Sequence, residues 1–177
     1  MQIIIGIIVL GLSLLALYYF LTFSPSSKLK LNQIAPDFAL LDQDNQMRRL
    51  SDYAGRKVVV YFYPKADTPG CTKEACSIRD GYAAYKDNNI VVLGISYDSP
   101  KDQKAFQEKY HLPFLLLSDS TKKTAKAYGA YQSFINALFP ARKTFLINEE
   151  GRTVKIFDKV DVDKHSIEIL EAFGIKN

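Results

Sequence analysis

The sequence predicts an α/β sandwich around a mixed central sheet, and three observations carry that expectation. Two short runs, VVVYFY at 58–63 and IVVLGIS at 90–96, are continuous β-branched, aliphatic and aromatic stretches of the kind that form strands buried on both faces. Segments with apolar residues three and four apart alternate with these runs, as helices do when they cover a sheet. Near the end, two strand-like segments are joined through Glu149, Glu150 and Gly151 and followed by a helical one, which adds an antiparallel edge to the alternating pattern.

Residues 3–23, IIIGIIVLGLSLLALYYFLTF, carry no charge and match the about 20 residues with which a helix crosses the hydrocarbon core. Tyr18 and Tyr19 near the end of this stretch, and Lys28 and Lys30 beyond it, suit a membrane boundary. No basic n-region or small-x-small cleavage site favours a signal peptide. The expected organisation is therefore an uncleaved single-pass anchor over 1–23, a linker over 24–30 and one domain over 31–177. The expected location is a bacterial inner membrane, with the lysines after the span directing the domain to the cytoplasmic side.

Within the domain, 38–41 and 47–50 read as a hairpin turned by DQDN, and strand 58–63 stops at Pro64. TKEACSIRDGYAAYKDN, 72–88, reads as one helix with Ala75, Ile78, Tyr82 and Tyr85 on one face. Strand 90–96 follows, then a helix capped by Ser99 with Pro100 at its first position, and a strand over 113–117. A helix over 121–128, strands over 143–148 and 153–160, and a helix over 163–173 capped by Gly174 complete the pattern.

Charge narrows the function. The 23 basic and 19 acidic residues all lie beyond residue 27, leaving a mild surplus of +4. No basic cluster is interleaved with aromatics, which excludes a nucleic-acid reader. Two cysteines exclude a four-cysteine zinc site, and His111 and His165 lack ligand spacing, so both read as surface or capping residues.

Both cysteines sit in PKADTPGCTKEAC, 64–76. A proline-restricted turn followed by a helix sets Cys71 at the helix mouth, where unpaired N–H groups and the macrodipole favour an anion, and the thiolate is the nucleophilic form. Thr68 can offer a hydroxyl to the same pocket, and Pro64 and Pro69 stiffen the loop. Cys76 lies five residues on, which in an intact helix separates the Cα atoms by about 8 to 9 Å, against the about 4.4 to 6.8 Å of a disulfide. A redox pair that alternates between helical and unwound states, an unpaired buried Cys76 and a permanent staple all remain open. Lys73 and Glu74, between the sulfurs, read as surface residues.

YFYPKADTPGCTKEAC resembles the peroxidatic segment of the peroxiredoxins, and its cysteine spacing is similar to the bacterioferritin comigratory protein, or PrxQ, branch. The likeness runs from APDFALLDQDNQMRRLSDYAGRKVVVYFYP through VVLGISYDSP to ARKTFLINEEGRTVK and leaves out the anchor. It implies a thioredoxin-like fold and a thiol peroxidase. In that reading Cys71 is the peroxidatic cysteine, Cys76 resolves it as an intramolecular disulfide, Thr68 donates to peroxide and thiolate, Pro64 shields the sulfur, and Arg142 in ARKTFLI is the active-site arginine. No metal, flavin or haem is implied. The implied partners are peroxide substrates, a thioredoxin-like protein reductant and, through the N-terminal helix, the membrane; the expected state is a monomer. Pro140 stands where the branch often has glycine, after an apolar stretch with Phe134, Ile135, Leu138 and Phe139. That stretch reads as a cover over the site, a membrane contact, a subunit contact or a loop packed on its own core. A membrane-tethered thiol-disulfide oxidoreductase and a scaffold domain with a structural disulfide are the rival functions, the first disfavoured because such enzymes use C-x-x-C.

Overall fold

The computed structural model describes residues 29–132 and 137–175. Among them, seven strands form one sheet: β1 (Ala39–Asp42), β2 (Met47–Arg49), β3 (Lys57–Phe62), β4 (Ile90–Ser96), β5 (Leu115–Ser118), β6 (Lys143–Ile147) and β7 (Thr153–Phe157). Among the described residues five α-helices accompany them, α1 (Pro69–Asp80), α2 (Tyr82–Asp87), α3 (Pro100–Tyr110), α4 (Lys123–Tyr128) and α5 (His165–Ala172), with a 3-10 helix over Leu50–Tyr53 between β2 and β3. The strand order is β2-β1-β5-β4-β3-β6-β7. β3, β4 and β5 run parallel, and every other pairing is antiparallel. This is the expected mixed sheet.

Alternation along β3 explains the two layers of the core. Val58, Val60 and Phe62 point into one layer with Phe38, Tyr128 and Phe145, while Val59, Tyr61 and Tyr63 point into the other with Cys71, Ile78 and Phe106. α1, α2, α3 and α5 cover the second layer. Gly94 on β4 is the close approach that lets Tyr61 lie flat there, because a Cβ at 94 would stand 2.7 Å from the Tyr61 ring and 2.8 Å from Leu116.

Several expected boundaries move for physical reasons. The helix expected over 72–88 begins at Pro69 and divides at Gly81 into α1 and α2. Gly81 lies against α5, where a Cβ would stand 2.5 Å from Ser166 Oγ. Ser99 caps α3, its side chain accepting from the Asp102 N–H, with Pro100 at the first position, and His111 ends that helix in the left-handed conformation. Leu29, inside the expected linker, is buried in the first core layer. Among the described residues no helix is long and apolar enough to cross a membrane. The expected anchor, most of the expected linker, and Phe134 and Ile135 lie outside the described residues.

Candidate active site

The site forms where one edge of the sheet meets the mouth of a helix. β3 ends at Phe62 and β6 begins at Lys143, and their antiparallel register pairs these two residues. The segment that leads into Cys71 therefore emerges beside the residue that precedes β6, Arg142. A separation of 71 residues in the chain closes to a contact: Arg142 Nη2 lies 3.3 Å from Cys71 Sγ.

The loop from Pro64 to Thr68 is held at two points. The Ala66 N–H donates to Asp98 Oδ2 at 2.8 Å, and Asp67, in the left-handed conformation, accepts from Lys109 Nζ and from the Tyr110 hydroxyl at 2.6 Å. These two aspartates tie the loop to the end of β4 and to α3, and neither was flagged by the sequence. Pro69 opens α1, and helical bonding starts with the Thr72 N–H donating to Thr68 O at 2.8 Å. The Gly70 and Cys71 N–H groups precede that bond and so lie at the positive end of the helix.

Cys71 is buried. Its sulfur shares the second core layer with Tyr61, Tyr63 and Ala75. Thr68 stands at the N-cap position, but its hydroxyl donates to Lys65 O at 3.0 Å rather than capping the helix. Pro64 is half-buried at the start of the loop. Cys76 lies on the same unbroken helix as Cys71, half-buried, both thiols free, and faces a groove between α1 and α5 with Lys73, Asp163 and Ile167.

Two sequence readings are corrected here. Glu74 is not a surface residue: it is buried, and Oε2 accepts from Arg142 Nη1. Positions 71, 74, 75 and 78 line the inward face of α1, so a charge three residues after the cysteine turns inward with it. The guanidinium thus forks, one nitrogen to the sulfur and one to the carboxylate. His165 is not a surface or capping residue either. It is wholly buried where α5 crosses α1, with Nε2 2.7 Å from Thr144 Oγ1 and its ring edge-on to Phe157. Lys73, by contrast, is exposed and pairs with Asp163.

Burial sets the electrostatics. It pushes the Glu74 carboxyl up to about 7 against the opposing pull of Arg142. It pushes the His165 imidazole down to about 4, helped by the Arg142 charge. Burial and the facing Tyr63, Glu74 and Cys71 hold the Tyr61 phenol well above its usual value. Glu74 therefore contributes fully to stability below its ordinary value of 4.5 and loses that contribution as pH rises through about 7. His165 contributes fully above 6.5 and loses that contribution as pH falls through about 4. Between 4.5 and 6.5 the two slopes oppose each other. In Glu74→Gln the His165 slope stands alone, so the urea midpoint relative to wild type should rise across that window. A difference that stays flat would mean that the carboxyl is not raised in the fold.

Beyond the sulfur and its arginine, Leu138 and Phe139 of the apolar stretch are exposed, at 69% and 41%, while Pro140 is buried. The turn that carries them is held where Lys122 Nζ donates to Ala137 O at 2.8 Å and the Ala141 N–H donates to Ala130 O at 2.7 Å.

Residues 31–156 match the model of the AhpC/TSA family. Peroxiredoxin Bcp of Bacillus subtilis is 41% identical over 81% of this chain and 94% of that protein. The crystal structure of peroxidoxin BcpB from Mycobacterium tuberculosis superposes with a TM-score of 0.78 at 33% identity, covering 84% of this chain and 99% of that one. The Xanthomonas campestris bacterioferritin comigratory protein, studied for alkyl peroxide reduction, superposes with a TM-score of 0.75 at 30% identity, covering 82% and 96%. With a family match over most of the domain, and a thiol under an arginine at the mouth of a helix in a thioredoxin-like sandwich, the chain belongs to the AhpC/TSA family, in its Bcp/PrxQ peroxiredoxin branch.

Proposed function

We propose that this thiol-dependent peroxidase works through Cys71 as the peroxidatic sulfur and Cys76 as the resolving one. The observation that carries the reading is the 3.3 Å contact from Arg142 Nη2 to Cys71 Sγ at the amino end of α1. A guanidinium and a helix terminus aimed at one sulfur favour the thiolate and the negative charge that grows on the peroxide oxygens. The Cys71 thiolate attacks the terminal oxygen of the peroxide, the O–O bond breaks, and the departing alkoxide or hydroxide takes a proton and leaves as alcohol or water. Cys71 becomes a sulfenic acid. Cys76 then condenses with it, forming the S–S bond and releasing water. Two electrons and two protons from a thioredoxin-like dithiol restore both thiols.

The remaining roles follow from position. Thr68, at the N-cap beside the sulfur, would turn its hydroxyl from Lys65 O to the peroxide. Pro64 would limit water near the sulfur. Disulfide formation requires α1 to unwind between 71 and 76, because five residues of intact helix hold the Cα atoms about 8 to 9 Å apart. The uncharged 3–23 segment would tether the domain to a membrane on its cytoplasmic face, a reading supported by the sequence alone.

Intact mass after one equivalent of peroxide tests the core of this reading. The wild type should lose two hydrogens, and Cys76→Ser should gain one oxygen at Cys71. A Cys76→Ser protein that gains nothing, or a wild type that gains oxygen without closing a disulfide, would overturn the assignment of the two sulfurs.

A further inference from the structure

Behind the sulfur and its arginine lies a second buried polar group that the reaction as written does not use. Among the described residues, Glu74 Oε1 and His165 Nδ1 are buried without a hydrogen-bond partner. Glu74 Oε1 faces His165 Nε2 at 3.9 Å, on the side of the carboxyl opposite Arg142. Both side chains are fully buried. An unpaired buried polar atom is costly, and for Oε1 the imidazole Nε2, itself paired with Thr144, is the polar atom that faces it across that gap.

We propose that His165 is a positioning residue for the peroxidatic centre, holding the Glu74 carboxyl so that Oε2 serves Arg142 while Oε1 is turned away from Cys71. The proposal rests on the reading of Cys71 as the peroxidatic sulfur. His165 Nδ1 lies 3.5 Å from Glu168 Oε2, which favours the proton on Nδ1 and leaves Nε2 as the acceptor. The single Nε2 lone pair then accepts the Thr144 hydroxyl at 2.7 Å, with Oε1 standing 3.9 Å off the same nitrogen. A protonated Glu74 can donate to the same lone pair only by displacing the Thr144 hydroxyl after a small rotation, so Nε2 serves one of the two at a time. Without the imidazole, Oε1 loses the polar atom that faces it at 3.9 Å, and the fork that aims the guanidinium at the sulfur loses a fixed end. The charged and titratable groups around the pair are Arg142 before β6, Tyr61 on β3, Cys71 on α1, Glu168 on α5 and Asp161 in the turn before it.

The test is a comparison of Cys71 oxidation rates by stopped flow in the full chain. His165→Phe, which keeps an aromatic ring against Phe157, should slow oxidation about tenfold, the worth of one buried hydrogen-bonding partner. Alkylation of Cys71 by iodoacetamide should shift to higher pH in the same variant. His165→Gln, whose amide reaches the Nε2 position, should return the rate to within about threefold of wild type. His165→Asn, whose amide reaches only the Nδ1 position, should stay slow; this pair keeps the test decisive if the phenylalanine variant does not fold. Glu74→Ala combined with His165→Phe should be no slower than Glu74→Ala alone. Wild-type rates and an unmoved alkylation profile in the phenylalanine and asparagine variants, or effects that multiply in the double variant, would overturn the proposal. Absence of Cys71-dependent turnover in the wild type would instead remove the peroxidase reading on which it rests.

Discussion

Cys71→Ser is expected to lower peroxide consumption by about a thousandfold or more, the scale on which losing a nucleophile acts. Serine is close to cysteine in size, so the packing with Tyr61, Tyr63 and Ala75 is kept. A hydroxyl, however, does not ionise at neutral pH and cannot accept oxygen and then surrender it to a second thiol. Stopped-flow peroxide consumption with a dithiol reductant reads the effect directly. Cys76→Ser is the paired control: its first turnover should match the wild type, and only recycling should fail. Were Cys71→Ser to retain turnover, the enzyme reading would be lost. A wild type that reduces protein disulfides without rapid peroxide consumption would put the oxidoreductase in its place, and a Cys71→Ser protein that loses stability but no peroxide turnover would put the scaffold there.

The second large effect is expected at Arg142, and it has two separable parts. Arg142→Met removes a donor 3.3 Å from the sulfur and should lower the rate of Cys71 oxidation by about 10²- to 10³-fold, as loss of one preorganised donor does. It also strips the buried Glu74 carboxyl of its cationic partner. Breaking such a pair from one side costs about 3–5 kcal/mol when the remaining group is charged. That cost should be largest above pH 7 and shrink as the carboxyl takes up a proton, so the urea midpoint of the variant should improve on mild acidification. Arg142→Met with Glu74→Gln should recover stability and leave the rate low. Arg142→Lys should not rescue the rate, because an ammonium cannot reach the sulfur and the carboxylate with a rigid fork. Equal rates in the arginine and methionine proteins would place the thiolate's stabilisation in the helix mouth alone.

How much of this was legible beforehand depends on the range of the interaction concerned. Strands 58–63 and 90–96 were readable because burial on both faces demands an unbroken apolar run, and β3 and β4 sit at the centre of the sheet. The start of α3 was readable because Ser99 and Pro100 carry their own capping chemistry. Cys71 at the head of α1 followed from a proline-bearing turn before a helical pattern. The break at Gly81 was not readable, because it answers to Ser166, 85 positions away in the chain. Glu74 was misread for a similar reason. Charged residues between two cysteines are ordinarily solvated, and Arg142, delivered from the residue before β6, makes its burial tolerable. A signal did exist: position 74 stands three residues after the cysteine, on the same helical face.

Alone, the sequence determined the layered α/β class, the placing of two cysteines five apart, and the helix that carries them, since these depend on periodicity, turn residues and caps within a few residues of each other. Tertiary structure alone decided which groups meet the sulfur. The antiparallel register of β3 against β6 brings Arg142 over Cys71, and the crossing of α5 over α1 buries His165 beside Glu74. Local patterns fix which way a side chain points along its own element; what it meets there is set by the pairing of elements distant in the chain, which no local pattern encodes.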